Sequence, residues 1–165
     1  MHNFDRFLRI TPVKTSEHLL FNLCNYLYFR VSEKGSAIMI IGESKLLTLL
    51  IAVPYILGSE LAFFRENRYF VKLNKQIAAV FVLREEPDAI YIASLAVAPD
   101  YRRLGLGTFM VGFSEKVAYK LGKKWVELTV LKENKIAREL YKKLGFFENH
   151  EKRRSLVLRK KAAQL

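Results

Sequence analysis

The chain has few residues that could form disulfides or bind metals. Of its 165 residues only Cys24 is a cysteine, so no intrachain disulfide can form. Cys24 lies in an apolar stretch, which indicates a buried structural thiol in a reducing, cytoplasmic protein. His2, His18 and His150 are scattered along the chain, so no metal site is predicted.

An apolar run long enough to cross a membrane is also lacking. Asp5, Arg6 and Arg9 interrupt the first residues, so no signal peptide is predicted there. The most apolar stretch, residues 46–57, is shorter than the ~20 residues of a spanning helix. It also contains Pro54, which disfavours a continuous helix. We therefore expect buried core elements here and no membrane partner.

Acidic residues are scarce relative to basic ones. The 28 Lys and Arg residues exceed the 16 Asp and Glu residues, for a formal net charge of +12. Such a charge favours phosphate-bearing ligands, nucleic acid or acidic surfaces without choosing among them. The 51% of hydrophobic residues excludes a disordered chain. No repeat or flexible linker interrupts the sequence, so residues 1–165 are predicted to form a single domain.

The first 67 residues contain no specific motif. Residues 7–10 are predicted to form a short strand that Thr11-Pro12 closes, followed by a helix from Thr15 or Ser16 to about residue 29. Residues 37–41 have a strand pattern. Residues 45–64 are predicted to form one or two buried helices, with a break near Pro54 and Gly58.

The pattern after Arg68 predicts a mixed α/β domain. Strands are predicted at residues 69–73, 77–83, 90–98, 125–131, 146–148 and 155–159, the first two joined by an Asn74-Lys75 hairpin. Apolar residues recur at helical spacing from Leu106 to Leu121, and Gly122 is placed to end that helix. A second amphipathic helix covers residues 134–144.

The most informative segment is Arg102-Arg103-Leu104-Gly105-Leu106-Gly107, between a strand and a helix. A helix start presents unpaired N–H groups and a partial positive charge, and glycines let a ligand approach the backbone closely. The segment therefore predicts a pyrophosphate site. It lacks the Gly-Lys-Ser/Thr of a P-loop, and Met110 and Glu127 do not fit a dinucleotide fingerprint.

Arg-x-x-Gly-x-Gly after Ser94-Leu95-Ala96-Val97-Ala98-Pro99 resembles the coenzyme A loop of the GCN5-related N-acetyltransferase (GNAT) superfamily. Residues 130–146, with Asn134, Ala137, Leu140-Tyr141 and Gly145-Phe146, resemble the family's later motif. The resemblance covers about residues 68–160 and is strong from 90 to 147. It implies a mostly antiparallel twisted sheet with strands four and five splayed, flanked by helices. Residues 68–160 would bind acetyl-CoA, and residues 1–67 would form the acceptor side.

The resemblance also implies roles for individual residues. The main chain of Leu95 and Val97 would contact the pantetheine arm, with the Val97 N–H near the thioester carbonyl. Tyr141 would be the general acid for the departing thiolate, with packing of its ring as the alternative. Asn134 would contact the coenzyme, cap a helix, or do both. The residues assigned to coenzyme binding are Leu95, Ala96, Val97, Arg102, Arg103, Leu104, Gly105, Leu106, Gly107, Thr108, Asn134, Ala137 and Tyr141.

The general base is less defined. The ribosomal-protein acetyltransferases of the superfamily have a glutamate five residues before the motif's asparagine, where this chain has Thr129. Glu127, Tyr91 and Ser94 could each order a water that takes the proton. Glu127 is our tentative base, and a solvated strand carboxylate is its alternative.

Three functions follow from these patterns. The expected one is acetyl-CoA-dependent N-acetylation of a primary amine, on a protein N-terminus, a lysine or a small molecule. A coenzyme A-binding sensor is the second, because of Thr129. A nucleic-acid or ribosome-binding module is the third, because of the charge, but we expect the lysines to be scattered and nucleic acid not to be the partner. The sequence is also compatible with a homodimer.

Overall fold

The computed structural model describes residues 8–17, 20–21 and 66–162, which contain seven strands and two long helices. The strands are β1 (Leu8–Pro12), β2 (Glu66–Leu73), β3 (Gln76–Glu85), β4 (Ala89–Val97), β5 (Trp125–Leu131), β6 (Phe147–Glu151) and β7 (Ser155–Lys161). The helices are α1 (Leu106–Lys120) and α2 (Lys135–Lys143), with 3₁₀ turns at Thr15–Glu17 and Pro99–Tyr101. The strands form one sheet in the order β1-β2-β3-β4-β5-β7-β6.

The chain groups into two compact units. The first comprises residues 1–81 and 96–102. In it β1 pairs antiparallel with β2, and Phe70 and Val71 of β2 are fully buried. The Phe21 ring packs against Phe70 with centroids 5.7 Å apart. Asn74 and Lys75 connect β2 to β3 with φ of 49° and 70°, the positive values of a two-residue hairpin turn.

The second unit comprises residues 82–95 and 103–165. Burial alternates along β5, where Val126, Leu128 and Val130 are buried while Thr129 is exposed. The α1 helix buries Met110, Val111 and Ala118 along one stripe. It ends at Leu121, and Gly122 follows with φ of 65°, a conformation that glycine adopts without strain.

Neighbouring strands of the second unit differ in direction. β4 runs parallel to β5, while β5 and β6 each pair antiparallel with β7. β7 therefore lies between β5 and β6, although it follows both in the sequence. The register places Glu127 opposite Tyr91 on one side and opposite Arg159 on the other. Three side chains distant in sequence thus come to one face of the sheet.

The structure confirms the predicted fold class and most of the predicted element positions after Arg68. β5 has the predicted bounds, and the final pair of strands is present with longer bounds than predicted. β1 runs through Pro12 instead of ending before Thr11. Thr15–Glu17 is a 3₁₀ turn, with Leu20 and Phe21 helical. The rest of that helix, the strand at 37–41 and the helices at 45–64 lie outside the described residues.

No helix in the described part of the chain is long and apolar enough to span a membrane.

Candidate coenzyme and acceptor site

The predicted site residues occupy four parts of the chain. Leu95 and Val97 are half-buried near the end of β4, and Ala96 between them is buried. The segment 102–105 connects the second 3₁₀ turn to α1, whose first three residues are Leu106, Gly107 and Thr108. Asn134 immediately precedes α2, which contains Ala137 and Tyr141, and Glu127 lies on β5.

The start of α1 is built for an anion. Gly105 is the N-cap residue with φ of 81°, and no side chain caps the helix. The first helical hydrogen bond runs from the Phe109 N–H to the Gly105 carbonyl at 3.0 Å. The N–H groups of residues 106–108 precede it and have no partner within the helix. With the helix dipole they give this end a partial positive charge and free donors.

The two glycines of the loop have different structural roles. A Cβ built on Gly105 would meet nothing within 4 Å, so the requirement there is its positive φ. A Cβ on Gly107 would lie 2.9 Å from Cδ2 of Leu140 on α2. Gly107 therefore allows α2 to pack closely against the first turn of α1.

The consecutive arginines have different environments. Arg102 is half-buried, and its Nε donates a hydrogen bond of 3.2 Å to the Val97 carbonyl. Arg103 is exposed, and its side chain has no hydrogen bond or ion pair with any described residue. Arg103 also adopts a φ of 65°, which costs a non-glycine residue about 1 kcal/mol. The backbone thus holds the Arg103 side chain in solvent at the start of α1.

β4 and β5 separate halfway along their length. Their pairing covers four positions, from Ala89 opposite Trp125 to Ile92 opposite Leu128. Residues 93–97 of β4 have no partner on β5. The Ala98 N–H donates to the Ala78 carbonyl of β3 at 2.9 Å. Because adjacent peptide groups of a strand point to opposite edges, the Val97 carbonyl and N–H point to the edge that β5 has left.

Asn134 caps α2. Its Oδ1 accepts a hydrogen bond of 2.9 Å from the Ala137 N–H. This is the helix-capping alternative of the sequence analysis, and it orients the side chain along the helix start. The contact of Asn134 with a coenzyme stays a prediction.

Tyr141 is a buried aromatic of α2. Its side chain is 8% exposed, and its ring meets that of Phe146 edge-on with centroids 5.6 Å apart. Burial removes the phenol from water and raises the pKa of Tyr141 to about 12. The residue is therefore protonated at neutral pH and available as a donor. The pKa of Tyr141 therefore lies well above the ~8.5 of a thiol.

A cavity of about 370 Å³ lies in the second unit, at the end of the paired part of β4 and β5. Strands β3, β4, β5 and β7 contribute lining residues, and the connections before β4 and β7 contribute the rest. The lining residues are Arg84, Glu86, Pro87, Asp88, Tyr91, Glu127, Thr129, Lys152, Val157 and Arg159. Of the predicted site residues only Glu127 lines it. Tyr91, a further candidate for ordering the water, and Thr129, which stands where related enzymes have a glutamate, line it too.

Most polar groups of the cavity are paired with one another. The Tyr91 hydroxyl donates a hydrogen bond of 2.8 Å to the Thr129 hydroxyl. Arg84 pairs with Glu86 at 2.6 Å, and its guanidinium lies 4.7 Å from the centre of the Tyr91 ring. Asp88 and Lys152 form no ion pair with another described residue. A ligand would therefore meet one available carboxylate and one available ammonium.

Glu127 is neither solvated nor free. Its carboxylate forms a bond of 2.7 Å with the Arg159 guanidinium, and the two side chains are 20% and 25% exposed. Arg159 also lies over the Trp125 ring, 5.1 Å from its centre. β7 brings Arg159 directly opposite Glu127, and the assignment of Glu127 as base or as a surface strand carboxylate stays a prediction. The sequence contains no motif that pairs these positions, which depend on strand order.

Comparison with known proteins identifies the family. The profile of the Acetyltransferase (GNAT) family matches residues 51–146, and the chain belongs to this family. An uncharacterized N-acetyltransferase of Methanocaldococcus jannaschii is 42% identical over 64 residues, which are 39% of this chain. The match spans 28% of that protein's length. The predicted superfamily membership is therefore confirmed.

Solved structures share the fold. The PaiA N-acetyltransferase of Thermoplasma acidophilum, in complex with coenzyme A, has a TM-score of 0.73 at 15% identity, covering 93% of this chain and 98% of that one. The ribosomal-protein-S18-alanine N-acetyltransferase of Escherichia coli has a TM-score of 0.68 at 19% identity, covering 96% of each. Spermidine N-acetyltransferase of Vibrio cholerae, with coenzyme A and spermine, has a TM-score of 0.64 at 15% identity, covering 95% and 96%.

Proposed function

We propose that the chain transfers an acetyl group from acetyl-CoA to a primary amine. The observation that carries the proposal is the uncapped start of α1 behind a glycine loop, with the exposed Arg103 beside it. Family membership and the coenzyme A in two structural neighbours support it.

In this proposal the pyrophosphate accepts hydrogen bonds from the N–H groups of residues 106–108. Arg103 adds a formal charge at the same end of the helix. The open edge of β4 offers main-chain groups at Leu95 and Val97 to the pantetheine arm, since β5 no longer pairs with that part of the strand. The Val97 N–H would then stabilise the negative charge that develops on the thioester oxygen.

The reaction forms an amide bond and breaks the carbon–sulfur bond of the thioester. The amine nitrogen attacks the carbonyl carbon, the oxygen gains charge, and the thiolate leaves as the nitrogen loses a proton. Tyr141 donates a hydrogen bond to the departing sulfur. With a pKa near 12 against ~8.5 for a thiol, complete proton transfer from Tyr141 would be uphill by about 5 kcal/mol. We therefore assign Tyr141 the stabilisation of the thiolate, with water delivering the proton.

The cavity is the proposed entry of the amine. Glu127 was the tentative base, but its carboxylate is paired with Arg159 and is less available to accept a proton. The hydroxyl pair of Tyr91 and Thr129 lies at the point where β4 and β5 separate, and could hold a water that accepts the ammonium proton. Glu127 would then hold Arg159 in the cavity wall. Protein N-termini, lysines and small amines are the acceptor classes to test.

The experiment measures thiol release from acetyl-CoA in the presence of peptides with free N-termini, lysine peptides and polyamines. Turnover with one class, together with 1:1 coenzyme binding, supports the proposal. Absence of coenzyme binding at millimolar concentration contradicts it. Binding without thiol release from any acceptor favours the second candidate, a coenzyme A-binding sensor. Thr129 and the paired Glu127 favour that candidate, because neither supplies a free carboxylate base.

A further inference from the structure

We infer that Arg102 positions the Val97 peptide and is not a phosphate ligand, although it belongs to the phosphate-loop motif. The inference rests on the proposed function, because Val97 matters only if its N–H faces an acyl group. It assigns the two consecutive arginines different roles: Arg103 binds phosphate, and Arg102 supports the stabilisation of the oxyanion.

The 3₁₀ turn at Pro99–Tyr101 reverses the chain, so that the Arg102 side chain lies back against the end of β4. The Tyr101 N–H donates to the Ala98 carbonyl at 3.0 Å, and the Arg102 N–H donates to the Pro99 carbonyl at 3.2 Å. The Tyr101 hydroxyl donates to the Gln76 side chain at the start of β3. The turn is thus fixed at its backbone and at its tip. From it the half-buried Arg102 side chain reaches the carbonyl five residues earlier.

The peptide group between Val97 and Ala98 is consequently held at both ends. Its N–H belongs to Ala98 and donates to the Ala78 carbonyl at 2.9 Å. Its carbonyl belongs to Val97 and accepts from Arg102 Nε at 3.2 Å. In a complete sheet the next strand would supply the second of these bonds. β5 has diverged here, so a charged side chain replaces the missing strand.

Fixing this peptide plane restricts the neighbouring one. The N–H of Val97 belongs to the preceding peptide and shares the Val97 Cα, so its direction follows from the dihedral angles at that residue. A donor stabilises a developing oxyanion best when its direction is set before the reaction. Loss of the Arg102 bond would let the Val97–Ala98 peptide rotate and would weaken polarisation of the thioester carbonyl.

Arg103 offers the matched comparison. Its side chain is exposed and forms no hydrogen bond or ion pair with any described residue, whereas Arg102 is half-buried and already bonded. Arg102→Lys and Arg103→Lys both retain the charge. Lysine has a methylene where arginine has Nε, so Arg102→Lys displaces the donor that reaches Val97. Arg102→Met and Arg103→Met remove charge and donor together.

Two readouts test the inference without an acceptor. The first is the Kd of adenosine 3′,5′-bisphosphate, which carries phosphates and no thioester. The second is the infrared carbonyl stretch of bound acetyl-CoA labelled with ¹³C at the acetyl carbonyl. We expect both Arg102 variants to bind the bisphosphate within about twofold of wild type while the stretch returns toward its value in free acetyl-CoA. Arg103→Met should raise the Kd about tenfold and leave the stretch of the bound thioester unchanged.

Each contrary result has one meaning. A tenfold rise of the bisphosphate Kd in Arg102→Met makes Arg102 a phosphate ligand and overturns the inference while the proposed function stands. An unchanged stretch in Arg102→Lys overturns it as well. If Arg102→Met does not fold, Arg102→Lys alone decides between these outcomes. Failure of the wild type to bind either compound removes the proposed function and the inference with it.

Discussion

The phosphate loop and the cavity are built from different parts of the polypeptide. The loop at residues 102–107 offers backbone N–H groups, and its two glycines serve conformation and close packing. The cavity offers side chains, which β3, β4, β5, β7 and two connections bring together. The loop can hold the same ligand when most of its side chains change. The cavity can change its ligand when one side chain changes, without altering the strands beneath it.

The largest expected effect concerns Tyr141, which belongs to neither region. Tyr141→Phe should lower turnover by about a hundred- to a thousandfold, the range for losing one donor that stabilises developing charge, while coenzyme affinity stays near normal. The hydroxyl acts only as the thiolate departs, and the remaining ring still packs against Phe146. Steady-state kinetics and calorimetry with coenzyme A measure the two effects. Tyr119→Phe, at an exposed position late in α1, is the matched control. Unchanged turnover in Tyr141→Phe would show that solvent alone serves the leaving group.

The same residue predicts a loss of stability at high pH. The phenol ionises near pH 10 in the unfolded chain and near pH 12 in the folded protein, where burial raises its pKa. Between these values only the unfolded state releases the proton, so ionisation favours unfolding. The contribution of the protonated phenol to the free energy of unfolding is fully present below pH 10. It is lost as the pH rises to 12, and the total loss is about 3 kcal/mol.

Denaturant unfolding at pH 10 and 11 measures part of this change. The wild type should lose about 1 kcal/mol more than Tyr141→Phe over that interval. Equal losses in the two proteins would mean that the phenol is hydrated in solution.

The next effect tests the backbone-built loop. Gly107→Val should abolish coenzyme binding, and with it the ~2.7 kcal/mol of stabilisation at a hundredfold excess over the dissociation constant. The new side chain would collide with Leu140, whose Cδ2 lies 2.9 Å from the Cβ position. Thermal shift with acetyl-CoA is the measurement. Gly112→Ala, in the middle of α1 with open space around its Cβ position, should keep the shift. A normal shift in Gly107→Val would mean that the phosphates bind elsewhere.

The smallest effect tests the side-chain-built cavity. Glu127→Gln should lower the free energy of unfolding by about 1–2 kcal/mol, because it leaves the half-buried Arg159 without its carboxylate. Turnover should keep its pH profile if Glu127 only holds Arg159. A loss of activity confined to low pH would instead identify Glu127 as the base. Glu115→Gln, which breaks a similarly buried pair with Lys160 outside the cavity, controls for stability alone.

The sequence predicted the backbone-built region because its information is local. Consecutive residues determine the positive φ at Gly105, the helix start at Leu106 and the chain reversal before them. Hydrophobic periodicity likewise predicted β5 and α1, because each buries one face regardless of its neighbours. The role of each arginine was not visible, since both lie within the motif segment and only the fold gives them different environments.

The cavity could not be predicted because its pairs depend on strand order. Glu127 and Arg159 are 32 positions apart, and Tyr91 and Thr129 are 38 positions apart. The first contact requires that β7 lie next to β5, and the second requires that β4 lie next to β5. No residue pattern within these strands specifies their neighbours. The ion pair of Glu127 with Arg159 was not predicted for this reason. The acceptor identity stays open for the same reason, because it depends on side chains assembled from distant segments.

The place of β7 in the sheet also has a consequence for synthesis of the protein on the ribosome. β7 pairs with β5 along seven consecutive positions, from Trp125 opposite Lys161 to Leu131 opposite Ser155. A nascent chain that ends before Ser155 therefore has β5 with an open edge, and it cannot form the pairing of β6 with β7. Such an edge is prone to pair with other chains until it is covered. The second unit can complete its sheet only after these late residues emerge, so a translational pause shortly before them would prolong exposure of the β5 edge.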